Sequence, residues 1–453
     1  MLTAGRDELR AMAHNDDLKV YLFGQEYNEK TYAICKSDLL IKGDNQDLDS
    51  QLYRGDTLAD DKLLGRTFNF MLANPPFGLD WGTDEMVKAA VLKDNAPGKR
   101  FEAGLPSTKD GSLLFLQHMI SKMDKNGSRI GIVLNGSPLF NGEAGTGWSN
   151  IRKMLLNRNL LDCIIALPKN LFYGTDISTY LWILDNKRPA ERHNKVLFID
   201  AAHAEYTSLL QKNLGKKRFE ITDEGADDII DMYRAYKNAN REIKYEKTGE
   251  VETLELAKVI DYDDFLYTTV AVRRPLRLWY EDITSKYEAL CADEDFNAED
   301  KKNLILKDIA ELDDIDKKRS DFEFFTFLKD KKVKTSVTQV NHIRSTFGVT
   351  DEDAPKVYDK PLKSESGYKA DTNLNDTEKI PVREDVDAYF AREVLPFTPD
   401  AWMDRDKDKD GCEFPFSRLF YKYRPLRSSE EILAELASLD DTLNEELSHL
   451  KEG

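Results

Sequence analysis

Asn69-Phe70-Met71-Leu72-Ala73-Asn74-Pro75-Pro76-Phe77-Gly78 decides the reading of this 453-residue chain. The run Phe70 to Ala73 is short and apolar, which predicts a central strand of a parallel sheet. Two prolines then end it. Each fixes φ and lacks an N–H, and Pro76 also keeps Pro75 out of helical geometry. The product is a stiff extended turn at the carboxyl end of a strand, where open α/β sheets place their ligands. The turn presents a side-chain amide, free carbonyls and an aromatic ring.

Such a turn suits one chemistry, the activation of a planar amino group. The lone pair of the adenine N6 is delocalised into the ring, so the nitrogen is a poor nucleophile. Two acceptors, the Asn74 side-chain oxygen and the Pro75 carbonyl, can take its two hydrogens and draw the nitrogen towards a tetrahedral state. Attack on a sulfonium methyl then needs no strong base. A base stacked in a duplex cannot reach the turn and has to be flipped out, and Phe77 offers a face for it. The bland alternative is a Pro-Pro strand terminator with no ligand.

Working outwards, Lys19 to Glu26 reads as a strand ending in a carboxylate, and Gln51 to Leu58 as another with Asp56 near its end. If these strands are parallel neighbours of the first, Glu26, Asp56 and Asn74 share one rim. A carboxylate at the end of the second strand of a doubly wound sheet binds ribose hydroxyls, roughly 20 residues after a Gly-rich loop. That loop would have to precede Met1. Asn28 to Leu40 and Ser112 to Met123 read as helices, the second with Asp110 as N-cap. Trp81 to Pro106 reads as a loop over the site. Strands at Arg129 to Leu134, Leu160 to Leu167, Thr179 to Leu184 and Val196 to Ile199, with a helix at Trp148 to Leu156, continue a β/α alternation to about residue 200. Between two strands, Pro168-Lys169-Asn170-Leu171-Phe172-Tyr173-Gly174-Thr175 offers aromatics either as a second wall for a flipped base or as the loop's own anchor.

Composition bounds the class. The chain is 41% hydrophobic and 33% charged, long enough for two or three domains. No stretch reads as a signal peptide or membrane span, and a cytoplasmic location is expected. Cys35, Cys163, Cys291 and Cys412 are scattered without a CxxC pair, so neither disulfide framework nor zinc site is expected. The net charge of −18 argues against a chain that grips DNA unaided over a broad face. Short basic stretches occur at Lys99-Arg100, Lys216-Lys217-Arg218, Arg273-Arg274-Pro275-Leu276-Arg277 and Lys331-Lys332-Val333-Lys334, each read as solvated unless shown otherwise.

Taken in order, Gly24-Gln25-Glu26, Gly55-Asp56-Thr57-Leu58, Asn74-Pro75-Pro76-Phe77-Gly78, Asp110-Gly111-Ser112 and the segment from Leu167-Pro168 to Thr179 make the stretch from Met1 to about Ala201 resemble the catalytic domain of the modification subunit of type I restriction-modification systems. These are adenine-N6 DNA methyltransferases using S-adenosyl-L-methionine. The resemblance implies a Rossmann-like α/β methyltransferase sheet over residues 1–203, a mixed, mostly helical extension and linker over 204–378, and a C-terminal segment over 379–453 with a partner-docking helix. It implies that Glu26 holds the cofactor ribose and Asp56 its adenine, and that Asn74 to Phe77 hold the target adenine, Asn74 also lying against the cofactor. Phe172 or Tyr173 would be the second stacking residue. DNA, a specificity subunit and a restriction subunit are the implied partners. The family wraps the cofactor methionine in a glycine-rich loop whose last two positions Met1-Leu2 resemble. An amino-terminally shortened member is therefore expected, one that by itself binds the cofactor poorly.

In the carboxyl half, Glu205 to Asp263 reads as polar and helical, 280–348 as charged helices and 351–378 as a loop-rich linker. Leu266 to Arg277 resembles a segment of longer family members. Asp406 to Gly411 resembles an EF-hand start, but Ser417 stands where the closing glutamate belongs, so no metal is expected. Glu413 to Pro425 resembles the family's carboxyl-terminal motif. The helix after Ser429 carries Ile432, Leu433, Leu436, Leu439, Leu443, Leu447 and Leu450 as an apolar stripe, for this chain's core or for the specificity subunit. No GxxxxGK[ST] loop of a nucleotide-triphosphate motor occurs. Two other functions stay open: an inactive assembly module that binds the specificity subunit, or a methyltransferase acting on protein glutamine or RNA.

Overall fold

The computed structural model describes residues 1–42, 51–244, 251–293, 304–421 and 428–452. The amino-terminal half is built on short strands: β1 (Gly24–Glu26), β2 (Leu52–Arg54), β3 (Phe70–Ala73), β4 (Arg129–Asn135), β5 (Leu161–Leu167), β6 (Thr179–Asp185) and β7 (Lys195–Asp200). Beyond them come the hairpin β8 (Thr207–Leu214) and β9 (Lys217–Ile221), then β10 (Ala239–Lys244) and β11 (Val251–Asp261). The main sheet has the order β10-β11-β7-β5-β6-β4-β3. It is mixed, with β3/β4 and β5/β7 parallel and β6 antiparallel to both β4 and β5.

β5 lies at the centre and is buried along its whole length. Its alternate side chains serve opposite faces, as the two-residue period of a strand requires. Ile164 joins Ile132, Trp182, Leu116 and Ile151 on one face. Ile165 joins Leu197, Ile199, Ile229 and Met232 on the other. Full burial of such side chains stabilises the fold by roughly 1.5–3 kcal/mol each.

Two expectations fail at the start of the chain. β3 is an edge strand of the main sheet, not a central one, with Phe70 58% and Leu72 54% exposed. β1 and β2 pair in parallel with each other in a sheet of their own, so the rim carrying Glu26 and Asp56 is not continuous with that of Asn74. The two sheets meet where the Phe23 and Phe68 rings pack 5.5 Å apart, each just ahead of its strand. The helix Leu2–Met12 lies beside both: Leu2 packs with Leu22, Leu39 and Leu52, and a Cβ on Gly5 would sit 3.7 Å from Leu72.

The stretch Trp81 to Pro106 is not all loop. It holds the helix Glu85–Lys93, which Asp84 caps through Met86 and Val87 N–H and whose Val87 and Val91 are buried. Glu205 to Asp263 is not mainly helical either. Among the described residues one α-helix, Asp223–Ala235, sits among β8 to β11, and Glu242 to Lys244 is strand. β10 and β11 extend the main sheet, which therefore runs past residue 203.

Then come β12 (Leu266–Arg273), β13 (Leu278–Tyr280), β14 (Arg319–Ser320), β15 (Gly348–Thr350), β16 (Asp376–Pro381) and β17 (Trp402–Cys412). Helices Ile283–Ala292, Leu304–Ala310, Asp321–Asp330 and Val337–Phe347 gather a second core around Tyr280, Phe324, Ile343 and Phe347. Val357 joins that core, so 351–378 is packed chain and not a free linker. Asp406 to Gly411 lies within β17, an antiparallel partner of β12. The carboxyl half is fastened to the sheet domain by Arg152, whose Nε donates to the Cys412 carbonyl at 2.6 Å, and by Phe414 edge-on to Trp182.

At the end of the main sheet opposite Asn74, Asp162 is 1% exposed and accepts from Arg188 Nε at 2.9 Å, Arg192 at 3.2 Å and the Tyr233 hydroxyl at 2.6 Å. Arg188 also donates to Tyr262, Tyr236 and the Lys195 carbonyl, tying β5, β7 and the chain after β11 together. Arg188→Met leaves a buried carboxylate short of its main partner, which costs about 3–5 kcal/mol. Urea unfolding should show a clearly lowered midpoint; an unchanged midpoint would mean that Arg192 and Tyr233 suffice for Asp162.

Candidate active site

Asn74 is the first residue after β3, at the carboxyl end of a strand whose parallel neighbour β4 ends at Asn135. Pro75 is buried and seats the turn, while Asn74 and Pro76 are exposed and Phe77 half-buried. The Asn74 amide has no hydrogen-bond partner among the described residues, so nothing in the fold uses it. Gly78 adopts φ +69°, a conformation that favours glycine, and lets the chain reverse at once.

The far side of the turn is clipped in place. Gly111 N–H donates to the Leu79 carbonyl at 2.9 Å. Asp110 is not an N-cap, since the helix Ser112–Ser121 starts from Gly111 without a side-chain cap. Its buried carboxylate instead accepts from Ser112 N–H at 3.0 Å and from the Asn135 side chain at 3.5 Å. Asp110 thus joins the helix start to the end of β4, next to the Asn74 turn. The sequence reading missed this role and Asn135 with it. The available signal was the short-range geometry of Asp110-Gly111-Ser112.

Glu26 ends β1, and its Oε1 accepts from Asn28 N–H at 2.7 Å. Asp56 lies two residues past β2, and its Oδ1 accepts from Leu58 N–H at 2.8 Å and Ala59 N–H at 3.1 Å. Each carboxylate is oriented by backbone through one oxygen, and neither has a cation partner among the described residues. Gln25 bonds the loop beyond Asp56 through Asp60 and Lys62, fixing the two strand ends together. Paired, oriented acceptors of this kind fit the hydroxyls of a ribose and the amine of an adenine.

Across the main sheet, the loop after β5 carries Phe172 and Tyr173 on the same rim as Asn74, with β4 and β6 between. That is three strand spacings, or roughly 14 Å. The two aromatics differ. Phe172 packs against the core face that holds Ile165 and Ile199, whereas Tyr173 is 69% exposed. Among the described residues neither ring pairs with Phe77. A cleft of about 350 Å³ opens further along, between Leu167, Tyr180, Asp200, Phe416 and Tyr421. Burial, and then the Asp200 carboxylate, push the Tyr180 hydroxyl above its ordinary pKa. None of Glu26, Asp56, Asn74 to Phe77, Phe172 and Tyr173 lines that cleft, whereas Leu167 and residues of the Glu413 to Pro425 segment do.

The basic stretch at residues 273–277 is spoken for within the chain. Arg273 faces Asp404 at 3.6 Å, and Arg274 and Arg277 share Asp400 at 3.5 and 3.1 Å. Arg100 pairs with Asp94 at 2.5 Å and donates to the Thr57 and Leu58 carbonyls.

The fold is an α/β sheet with a polar Pro-Pro turn at a strand end, and comparison with known proteins narrows it. Residues 1–266 match the family model described as N-6 DNA Methylase, more than half of the chain, and the chain belongs to that family. It is 29% identical over 238 residues to the type I restriction enzyme MjaVII methylase subunit of Methanocaldococcus jannaschii, covering 51% of this chain and 38% of that protein. It is also 29% identical over 196 residues to the HindI methylase subunit of Haemophilus influenzae, covering 43% and 41%. The chain thus spans well under half the length of these curated relatives. Among solved structures, the type I restriction-modification methyltransferase subunit of Streptococcus thermophilus matches at 24% identity with a TM-score of 0.45, covering 57% of this chain and 48% of that one.

The contrast within the aromatic pair is testable. Phe172→Ala should destabilise the fold by roughly 1–3 kcal/mol, since it removes a ring packed on the core. Tyr173→Ala should change stability by about 0.5 kcal/mol or less. Thermal unfolding of both variants checks this; equal losses would place Tyr173 in the core as well.

Proposed function

We propose that this chain carries the methyl-transfer machinery of an adenine-N6 DNA methyltransferase, the modification subunit of a type I restriction-modification complex. One observation carries the reading: the Asn74 amide projects, unpaired and exposed, from a turn that Pro75 seats and Gly111 clips, beside the half-buried ring of Phe77.

In this reading the target adenine leaves the duplex and lies against Phe77, with Tyr173 as the exposed second wall. Asn74 Oδ1 and the Pro75 carbonyl accept the two N6 hydrogens. The acceptors localise the nitrogen lone pair and aim it; the new N–C bond forms as the sulfonium methyl–sulfur bond breaks, and one N6 proton then passes to water. Pro75 and Pro76 keep the acceptors from rotating away, so little reorganisation is needed when charge develops. S-adenosyl-L-methionine, when bound, supplies the electrophilic methyl group. Glu26 would hold its ribose and Asp56 its adenine amine.

The carboxyl-terminal helix Ser429–Glu452 supports a partner in the complex. Ile432, Leu433, Leu436, Leu439 and Leu443 are 43%, 65%, 57%, 59% and 55% exposed, so this part of the stripe is not covered by the chain's own core. Leu447 and Leu450 lie among residues whose side chains are not described. A helical specificity subunit suits such a stripe, as apolar residues three and four apart form one seam.

The test is substitution at the turn. Asn74→Ala should reduce methyl transfer to adenine by at least about 100-fold, the scale on which loss of one positioned polar group acts. Cofactor binding, read by calorimetry, should fall far less. Transfer at the wild-type rate would overturn the assignment of Asn74.

A further inference from the structure

The aromatic loop after β5 does not stand alone. The β8–β9 hairpin is bonded to it along one edge: Lys216 N–H donates to the Tyr173 carbonyl at 2.9 Å, and Arg218 N–H to the Asn170 carbonyl at 2.9 Å. The Asn170 side chain returns a bond to the Lys216 carbonyl at 3.3 Å, and Lys216 Nζ pairs with Asp176 at 3.0 Å. At the hairpin tip Gly215 adopts φ +61°, and a Cβ there would come within 2.8 Å of the Tyr173 carbonyl oxygen. Hairpin tip and aromatic loop are therefore one unit.

The charge of this unit opposes that of the molecule. From Thr207 to Ile221 the hairpin has four cations, Lys212, Lys216, Lys217 and Arg218, against one carboxylate, Glu220, within a protein of net charge −18. Lys212 and Arg218 are exposed and Lys217 half-exposed. Among the described residues none of these three has an ion-pair partner, unlike Arg273, Arg274 and Arg277. A hairpin that serves only to buttress the loop needs its backbone bonds, not three cations outside any ion pair, of which Arg218 also feels the Asp176 carboxylate.

We propose that the β8–β9 hairpin is a phosphate clamp, gripping the DNA backbone beside the base that Tyr173 faces. Lys212, Lys217 and Arg218 supply the charge, and the hydrogen bonds to Asn170 and Tyr173 set the clamp at a fixed distance from the aromatic wall. Phosphate contacts position a protein on DNA without reading sequence. An acidic chain that must hold one nucleotide out of a duplex needs such a local patch, because the rest of its surface repels the backbone. The inference rests on the DNA-methyltransferase reading and adds the residues that would meet the backbone.

The test is a salt titration of the full chain against a fluorescent 25-base-pair duplex, read by anisotropy. A triple variant, Lys212→Gln with Lys217→Gln and Arg218→Gln, leaves the Lys216–Asp176 pair and the backbone bonds alone. Its slope of log affinity against log salt should be shallower by about 2–3, at ~0.9 per phosphate contact, and its affinity at low salt at least about 10-fold weaker. The matching change of both lysines to arginine should keep the wild-type slope. Lys331→Gln with Lys332→Gln and Lys334→Gln, an equal charge change elsewhere, should keep it too. Wild-type slope and affinity in the hairpin variant would overturn the clamp and leave the methyltransferase reading standing, since Asn74 tests that separately. An equal loss from the residue 331–334 variant would also overturn it, as a mere net-charge effect. No duplex binding by the wild-type chain at any salt would count against both.

Discussion

The site depends on how β3 is stopped. An apolar strand running parallel to β4 is halted by two consecutive residues that cannot donate a backbone hydrogen bond, and the chain turns away with its carbonyls free. Pro75 is buried, and the far end of the turn is fastened where Leu79 accepts from Gly111. Asp110 extends that clip to Ser112 and to Asn135 at the end of β4. Rigidity comes from the prolines and position from the clip, so the Asn74 side chain is left without a structural duty. A polar group held still and unused is what an acceptor for a substrate amine requires.

The rest of the molecule supports that rim from below and behind. The Asp162–Arg188 cluster fixes the opposite end of the sheet, and two cores sandwich β5, so the strand ends cannot slide relative to one another. The carboxyl half contributes Phe414 and Phe416 to the same core. β3 itself is an edge strand. Its outer side faces the β1–β2 pair and the helix Leu2–Met12, with Phe70 and Leu72 half-exposed. Glu26 and Asp56 stand on that neighbouring unit, which is joined to the main sheet by side-chain contacts, Phe23 on Phe68, Arg100 on the Thr57 and Leu58 carbonyls and Lys122 on Asp61, and not by strand pairing.

Much of this was legible in the residues. The strand-turn at Asn74, the carboxylates at two strand ends and the alternation from Arg129 to Ile199 follow from apolar runs bounded by special backbone residues, which are local signals. The place of β3 in its sheet was not legible, because four apolar residues report that a strand has an apolar face and not how many neighbours it has. The helix at Glu85–Lys93 was missed although Asp84 is a capping residue and Val87 and Val91 are four apart. β10 and β11 were misread because Glu and Lys favour helix in isolation, while pairing of β11 with β7 and of β10 with β11 decides the outcome in the folded chain. Which loop aromatic is free could not be read at all: Phe172 and Tyr173 are adjacent, and burial against Ile165 and Ile199 separates them only in three dimensions.

The most direct measurement is nucleoside mass spectrometry of plasmid DNA from a methylation-deficient host expressing this gene with its neighbouring genes. The account predicts N6-methyldeoxyadenosine with the wild-type gene and none when codon 74 specifies alanine. Methylated cytosine, or N6-methyldeoxyadenosine at the same level with the alanine codon, would contradict it.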